Sequence, residues 1–334
     1  MSELPVVVLT NATFPETRAM FDGVARVIAN DGTEPWSDEL LQTHCRTASG
    51  LMAFMTDRID DGFLAGCPSL KIIGAALKGY DNIDVAAATT RGVWVSICDD
   101  LLTVPTAEHA IGLMLALGRN MLEGDREIRS RGFRGWRPRH YGIGLYGSNV
   151  GIVGFGKVGQ AIASRLVAFG CQIRAYDNSA SEVPDALAGH VTRSALEPLL
   201  AASDFVVLAL PLLASTQHLI NADAIAMMKP GALLINPARG SLVDEAAVAA
   251  AVARGHLKGY AADVFECEDW ARPDRPATID PQVLELTGST VLTPHVGSAV
   301  VHVRRQIEAS AAENIIAALQ NKIPPGAINV GRSL

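Results

Sequence analysis

Short apolar, β-branched runs recur along the chain, separated by longer stretches whose apolar positions fall at helical spacing. Before residue 100 the runs read PVVVLT (5–10), LMAFM (51–55), KIIGAAL (71–77) and VWVSIC (93–98). A second series follows: NVGIVG (149–154), QIRAYD (172–177), FVVLAL (205–210), ALLINP (232–237), GYAADVF (259–265) and STVLTP (289–294). Strands that are apolar throughout, alternating with helices, imply parallel sheets covered on both faces. The pattern predicts an α/β protein with a doubly wound sheet in its second half.

Two long helices sit where the series join. One opens at Pro105-Thr106-Ala107-Glu108, with proline suited to a helix start. The other runs from Ser298 to Leu319 and is followed by the breaker-rich NKIPPGAIN (321–329). The second series ends near Pro294, so this last helix and tail are expected to return to the first. The expected domains are therefore a discontinuous 1–103 plus 299–334 and an inserted 104–298. Ligands are expected in a cleft between them, closing by hinge motion.

A length of 334 residues suits two domains, and 49% hydrophobic against 19% charged residues suits large buried cores. The net charge of -7 argues against a nucleic-acid or anionic-membrane partner. An anionic substrate must therefore be drawn in by local cations. The opening MSELPVVVLTN lacks a basic segment and reads as a strand, not a signal peptide. The longest apolar stretch, Ala110 to Gly118, is too short to span a bilayer. The five cysteines (Cys45, Cys67, Cys98, Cys171, Cys267) are scattered, as reduced thiols of a cytoplasmic protein would be. No histidine shows metal-ligand spacing, so no metal is expected.

Candidate chemistry begins at NVGIVGFGKVG (149–159). Gly154, Gly156 and Gly159 form G-x-G-x-x-G between an apolar strand and the helical run Gln160–Phe169. The first glycine permits a tight turn, the second lets backbone approach a pyrophosphate, and the third lets helix pack on strand. Asp177, at the end of the next strand, can accept both ribose hydroxyls of NAD and would repel the extra phosphate of NADP. Neighbouring Asn178 brings no cation, and Arg174 should face the other way.

Three later strand ends carry polar residues: Asn236-Pro237-Ala238-Arg239-Gly240, Asp263 to Glu268, and Thr293 to Ser298. Taken singly, Arg239 reads as a surface ion pair, His295 as a structural histidine and Glu268 as a solvated acid. Together, an arginine fork for an anion, an imidazole titrating near neutrality and a carboxylate to orient it can perform acid–base work.

With GYDNID (79–84), Leu210-Pro211, NPARGSLVDE (236–245), DVFECE (263–268) and TPHVGS (293–298) added, nearly the whole chain resembles the D-2-hydroxyacid dehydrogenases. The resemblance implies a Rossmann dinucleotide-binding domain, a flavodoxin-like substrate domain, and a homodimer joined through the former. It implies Arg239, Glu268 and His295 as the catalytic set, with Glu266 outside it. Along the cofactor it implies Thr106, Gly154, Gly156, Lys157, Val158, Gly159, Asp177, Asn178, Leu210, Pro211, Pro237, Ala238, Arg239, Asp263, His295 and Gly297. One loop departs from ordinary members, which carry small or apolar residues just before Gly79; here Lys78 precedes it. Together with MAFM-x-DR, DLLTVPTAE and EDWAR, this resembles the phosphite-oxidising branch of the family. That resemblance implies a substrate site of Met55, Lys78, Gly79, Trp136, Tyr141, Arg239, Ser298 and Arg304. Phosphite carries three oxygens and up to two charges, so a water-poor site needs more positive charge than one carboxylate does.

Overall fold

The computed structural model describes residues 3–179, 182–270 and 272–331. The chain forms two compact units: Met1–Leu102 with Trp270–Pro273 and Ser298–Leu334, and Thr103–Asp269 with Asp274–Gly297.

The first unit holds five parallel strands: β1 (Val6–Leu9), β2 (Arg26–Ala29), β3 (Gly50–Ala53), β4 (Ile72–Ala75) and β5 (Trp94–Ser96). Their order is β2-β1-β3-β4-β5, the flavodoxin-like arrangement. Successive side chains point to opposite faces. Val8, Leu51 and Ile73 therefore enter one core, and Val7, Met52 and Ile72 the other. The helix Val301–Leu319 covers the second face. It lies so close that a side chain at Gly74 would come 2.6 Å from Ile315, and one at Gly50 2.9 Å from it. The tail then lines β5, where Ile97 N–H donates to the Gly326 carbonyl at 3.0 Å and Ile328 N–H to Val95 at 2.9 Å. This closes an otherwise open sheet edge.

The second unit has seven parallel strands: β6 (Asn149–Val153), β7 (Gln172–Tyr176), β8 (Val191–Arg193), β9 (Phe205–Leu208), β10 (Ala232–Asn236), β11 (Leu257–Ala262) and β12 (Thr290–Leu292). Their order, β12-β11-β10-β9-β6-β7-β8, is doubly wound, with the direction of progression reversing between β6 and β9. Alternation again feeds two cores, Leu233 and Ile235 into one and Leu234 into the other. Two strands, β2 and β8, are absent from the sequence expectation. Both lie at sheet edges, where polar residues such as Arg26 and Thr192, both exposed, break the apolar run. The helix expected from Pro105 begins at Thr103, which puts the proline in its first turn.

Candidate active site

The carboxyl edge beside β6 and β9 is where an open α/β sheet binds its ligand. Gly154 sits there with φ +97°, in the left-handed region, and its N–H donates to the Tyr176 carbonyl at 2.8 Å. A side chain at Gly154 would strike the Ala209 carbonyl, and one at Gly159 the Gly154 carbonyl; Gly156 faces open space. Two of the glycines thus serve packing, and the third leaves a cradle. Gly156 caps the 12-residue helix Lys157–Ala168, which includes Val158 and whose N-terminus favours anions. These residues fit a dinucleotide pyrophosphate.

Asp177 closes the far side of the loop. Its carboxylate accepts from Phe155 N–H at 2.6 Å and from the Ser179 N–H and hydroxyl at 2.7 and 2.6 Å. Burial pushes this acid up, but these bonds and the nearby Arg193 charge prevail and hold it below the usual range. A cation not weighed in the sequence, Arg193, lies beside Asp177: its Nη2 donates to the Asp177 and Ser179 carbonyls at 3.0 and 2.9 Å. It lies on β8 opposite Ala175 of β7, so it is invisible to a reading that lacks that strand. Arg174 bonds instead to Asn149 Oδ1 at 3.3 Å. Asn178 accepts from the Tyr176 hydroxyl. Leu210 and Pro211 follow β9, the Pro211 carbonyl accepting from Thr216 Oγ1 at 2.8 Å.

Past β10, the Asn236 amide donates to the Arg239 carbonyl at 2.8 Å and accepts from Ala238 N–H at 3.1 Å, fixing the Pro237–Arg239 turn. Gly240 then presses on Phe265 and Glu266 so tightly that any side chain there would overlap their backbone. Past β11, the short turn Glu266–Glu268 presents Glu268, which accepts from Phe265 N–H at 2.9 Å through Oε1. Its Oε2 lies 2.9 Å from Nδ1 of His295. A carboxylate only accepts, so Nδ1 is the donor of this bond and Nε2 is the nitrogen left to exchange a proton with a ligand. His295 adopts φ +53°, a costly conformation for a non-glycine residue. Its N–H donates to the Asp263 carbonyl at 2.7 Å.

Asp263 organises this loop. It accepts from Thr293 Oγ1 at 2.6 Å, Val296 N–H at 2.8 Å and Gly297 N–H at 2.7 Å, and His109 Nε2 lies 3.2 Å away. Burial would lift the carboxyl, but His109 and these donors hold it below its ordinary range. His109 was not singled out in the sequence; it lies on the helix Thr103–Gly118, one turn after Thr106. A side chain at Gly297 would meet Thr106 at 3.7 Å.

Of the residues expected at the substrate site, three follow strands of the first unit at their carboxyl ends. Met55 lies two residues past β3, and Lys78 and Gly79 three and four past β4. The Lys78 side chain is 27% exposed, with Nζ 3.8 Å from Asp99 past β5. Arg304 lies 5.9 Å from the centroid of the Phe54 ring, close enough for a cation–π contact. Burial weighs against its charge, and Glu308 favours it. The Met55 loop rests on Asp57, the acid of MAFM-x-DR, which accepts from Thr10 Oγ1 at 2.5 Å and Phe54 N–H at 2.7 Å. Asn82 of the GYDNID segment donates to the Phe54 and Asp57 carbonyls at 3.0 and 2.7 Å, joining the two loops. Ser298 opens the chain's return into this unit. Trp136 and Tyr141 stand in an irregular segment of the second unit, 75% and 71% exposed.

Comparison with known proteins agrees with this geometry. The profile of the D-isomer specific 2-hydroxyacid dehydrogenase NAD binding domain matches residues 111–297. A glyoxylate reductase of Pyrococcus furiosus is 36% identical over 336 residues, covering 97% of this chain and 95% of that one. A solved protein of Thermus thermophilus superposes with a TM-score of 0.87 at 32% identity, covering 97% and 99% of the two chains. An NADPH-dependent glyoxylate/hydroxypyruvate reductase of Sinorhizobium meliloti, solved with NADP and malonate, gives 0.83 at 27% identity over 98% of each. The chain belongs to the D-isomer specific 2-hydroxyacid dehydrogenase family. It is an oxidoreductase of that family and carries the family's NAD-binding domain.

Proposed function

We propose that this chain is a phosphonate dehydrogenase, oxidising phosphite to phosphate with NAD as the hydride acceptor. Lys78 carries the reading: a half-buried ammonium stands where ordinary members of the family keep a small or apolar residue. Arg304, a half-buried guanidinium in the same unit, supports it. Lys78 and Arg239 would hold the oxyanion, with Arg304, Ser298, Met55 and the Gly79 amide completing its surroundings and Trp136 and Tyr141 screening it. Bound NAD supplies nicotinamide C4 as the hydride acceptor. His295, oriented by Glu268, takes at Nε2 a proton from the water whose oxygen bonds phosphorus, and the P–H electron pair leaves as hydride. Positioning and fixed charge would supply most of the rate.

Asp177 favours NAD over NADP in this reading, and pairing of two chains through the second unit makes the active form a homodimer.

The names of the relatives favour a second reading, reduction of a 2-oxo acid such as glyoxylate. There Arg239 holds the carboxylate, and His295 gives its proton to the carbonyl oxygen as hydride arrives. Initial rates with phosphite and NAD, set against D-glycerate with NAD and glyoxylate with NADH, separate the two. The proposal expects phosphite to exceed either organic acid by about a hundredfold in kcat/KM, and Lys78→Ala to raise the phosphite KM at least about tenfold. Faster turnover of glyoxylate, with Lys78→Ala unchanged, would establish the second reading.

A further inference from the structure

The turn that presents Glu268 holds a second histidine–glutamate pair. His218 Nε2 lies 2.8 Å from Glu266 Oε2, two residues before the acid that meets His295. Like His295, His218 has a left-handed backbone, with φ +47°. Its N–H donates to the Ser241 carbonyl at 2.7 Å, beside Arg239 and Gly240. Two non-glycine residues held in a costly conformation, each aimed at an acid of one three-residue turn, mark a place where the fold spends stability on geometry.

The turn needs outside support, because three residues cannot close a run of helical hydrogen bonds. Glu266 supplies it. Its Oε1 accepts from Glu245 N–H at 3.3 Å, and its own N–H donates to Glu245 Oε1 at 2.8 Å. Glu245 Oε2 in turn accepts from Asp280 N–H at 2.9 Å. His218 reaches the other oxygen of Glu266 from the segment after β9. Ser241 N–H donates to Asp269 Oδ2 at 2.6 Å, tying the Arg239 turn to the same stretch.

We propose that His218 is a positioning residue: through Glu266 it fixes the 266–268 turn, and with it the carboxylate that orients His295. This rests on the reading of Glu268 and His295 as the acid–base pair, whichever anion is the substrate. His218→Ala removes the contact, whereas in His218→Gln an amide N–H can still donate to Glu266. Steady-state rates with the anion that wild type turns over fastest, alongside NADH binding by fluorescence, read the effect. We expect kcat to fall about tenfold in His218→Ala with NADH affinity within about twofold, and His218→Gln to recover most of the loss. An alanine variant with wild-type kcat, or a glutamine variant no better than alanine, overturns the proposal. His295→Ala, run in parallel, separates the layers. If it keeps full turnover, the acid–base reading itself fails; if it is inactive while His218→Ala is normal, only His218 loses its role.

Discussion

Asp57 shows how a single side chain can combine a structural task with a cost. Its carboxylate is buried beneath the Met55 loop, and burial, partly offset by Thr10 and Phe54, lifts it to about 6 from an ordinary 3.8. The folded protein therefore binds this proton more tightly than the unfolded chain. Its contribution to stability grows as pH falls from about 7 toward 4 and is absent above the folded value. Between pH 7.5 and pH 5 the gain is about 1 kcal/mol. Asp57→Asn removes that dependence, so urea midpoints of wild type and variant should diverge as pH is lowered, with wild type gaining. Parallel curves would show that Asp57 is not the group that titrates. The sequence marks Asp57 as the acid of MAFM-x-DR but not as a buried group, because its burial depends on Thr10, 47 residues away. By contrast Arg239, Glu268 and His295 became candidates in sequence jointly, each following an apolar strand and each falling in a segment that resembles the family. The same rule explains why Arg193 did not: its strand, with Thr192 exposed, has no apolar run to announce it.

At the scale of elements, glycines decide how closely layers approach. Gly74 of β4 admits Ile315 of the helix Val301–Leu319, and an added methyl would also meet the Ala311 carbonyl at 2.8 Å. A backbone carbonyl on that helix cannot move aside as a side-chain tip can. Gly74→Ala should cost about 1–3 kcal/mol in denaturant unfolding, while Gly112→Ala, which meets nothing within 4 Å, should not. Equal midpoints for the two variants would show that the contact is slack. Apolar runs made the central strands legible in the sequence, since strands buried on both faces must be apolar throughout. Their order was legible only by analogy, because β1 pairs with β3 as well as β2, and nothing local to Val6–Leu9 encodes either partner.

For the whole molecule, the described helices include none long and apolar enough to cross a membrane. The second unit does leave apolar side chains in solvent along 121–146: Met121, Ile128, Phe133 and Tyr146 are all at least half exposed. The helix Met121–Arg129 buries none of its residues. Exposed apolar side chains in this number are expected to be covered in the functional form, as the proposed homodimer would do. Light scattering should give about twice the 35.3 kDa chain mass, and Ile128→Asp with Phe133→Asp should yield monomers. A wild-type monomer at micromolar concentration would remove the dimer from the account.

The central claim is that hydride leaves phosphorus. Phosphite deuterated at the P–H position, incubated with the chain and NAD, should give phosphate by phosphorus NMR and deuterium at C4 of the reduced nicotinamide by mass spectrometry, one label per turnover. Intact phosphite and unreduced NAD, from a preparation that oxidises NADH with glyoxylate, would contradict it.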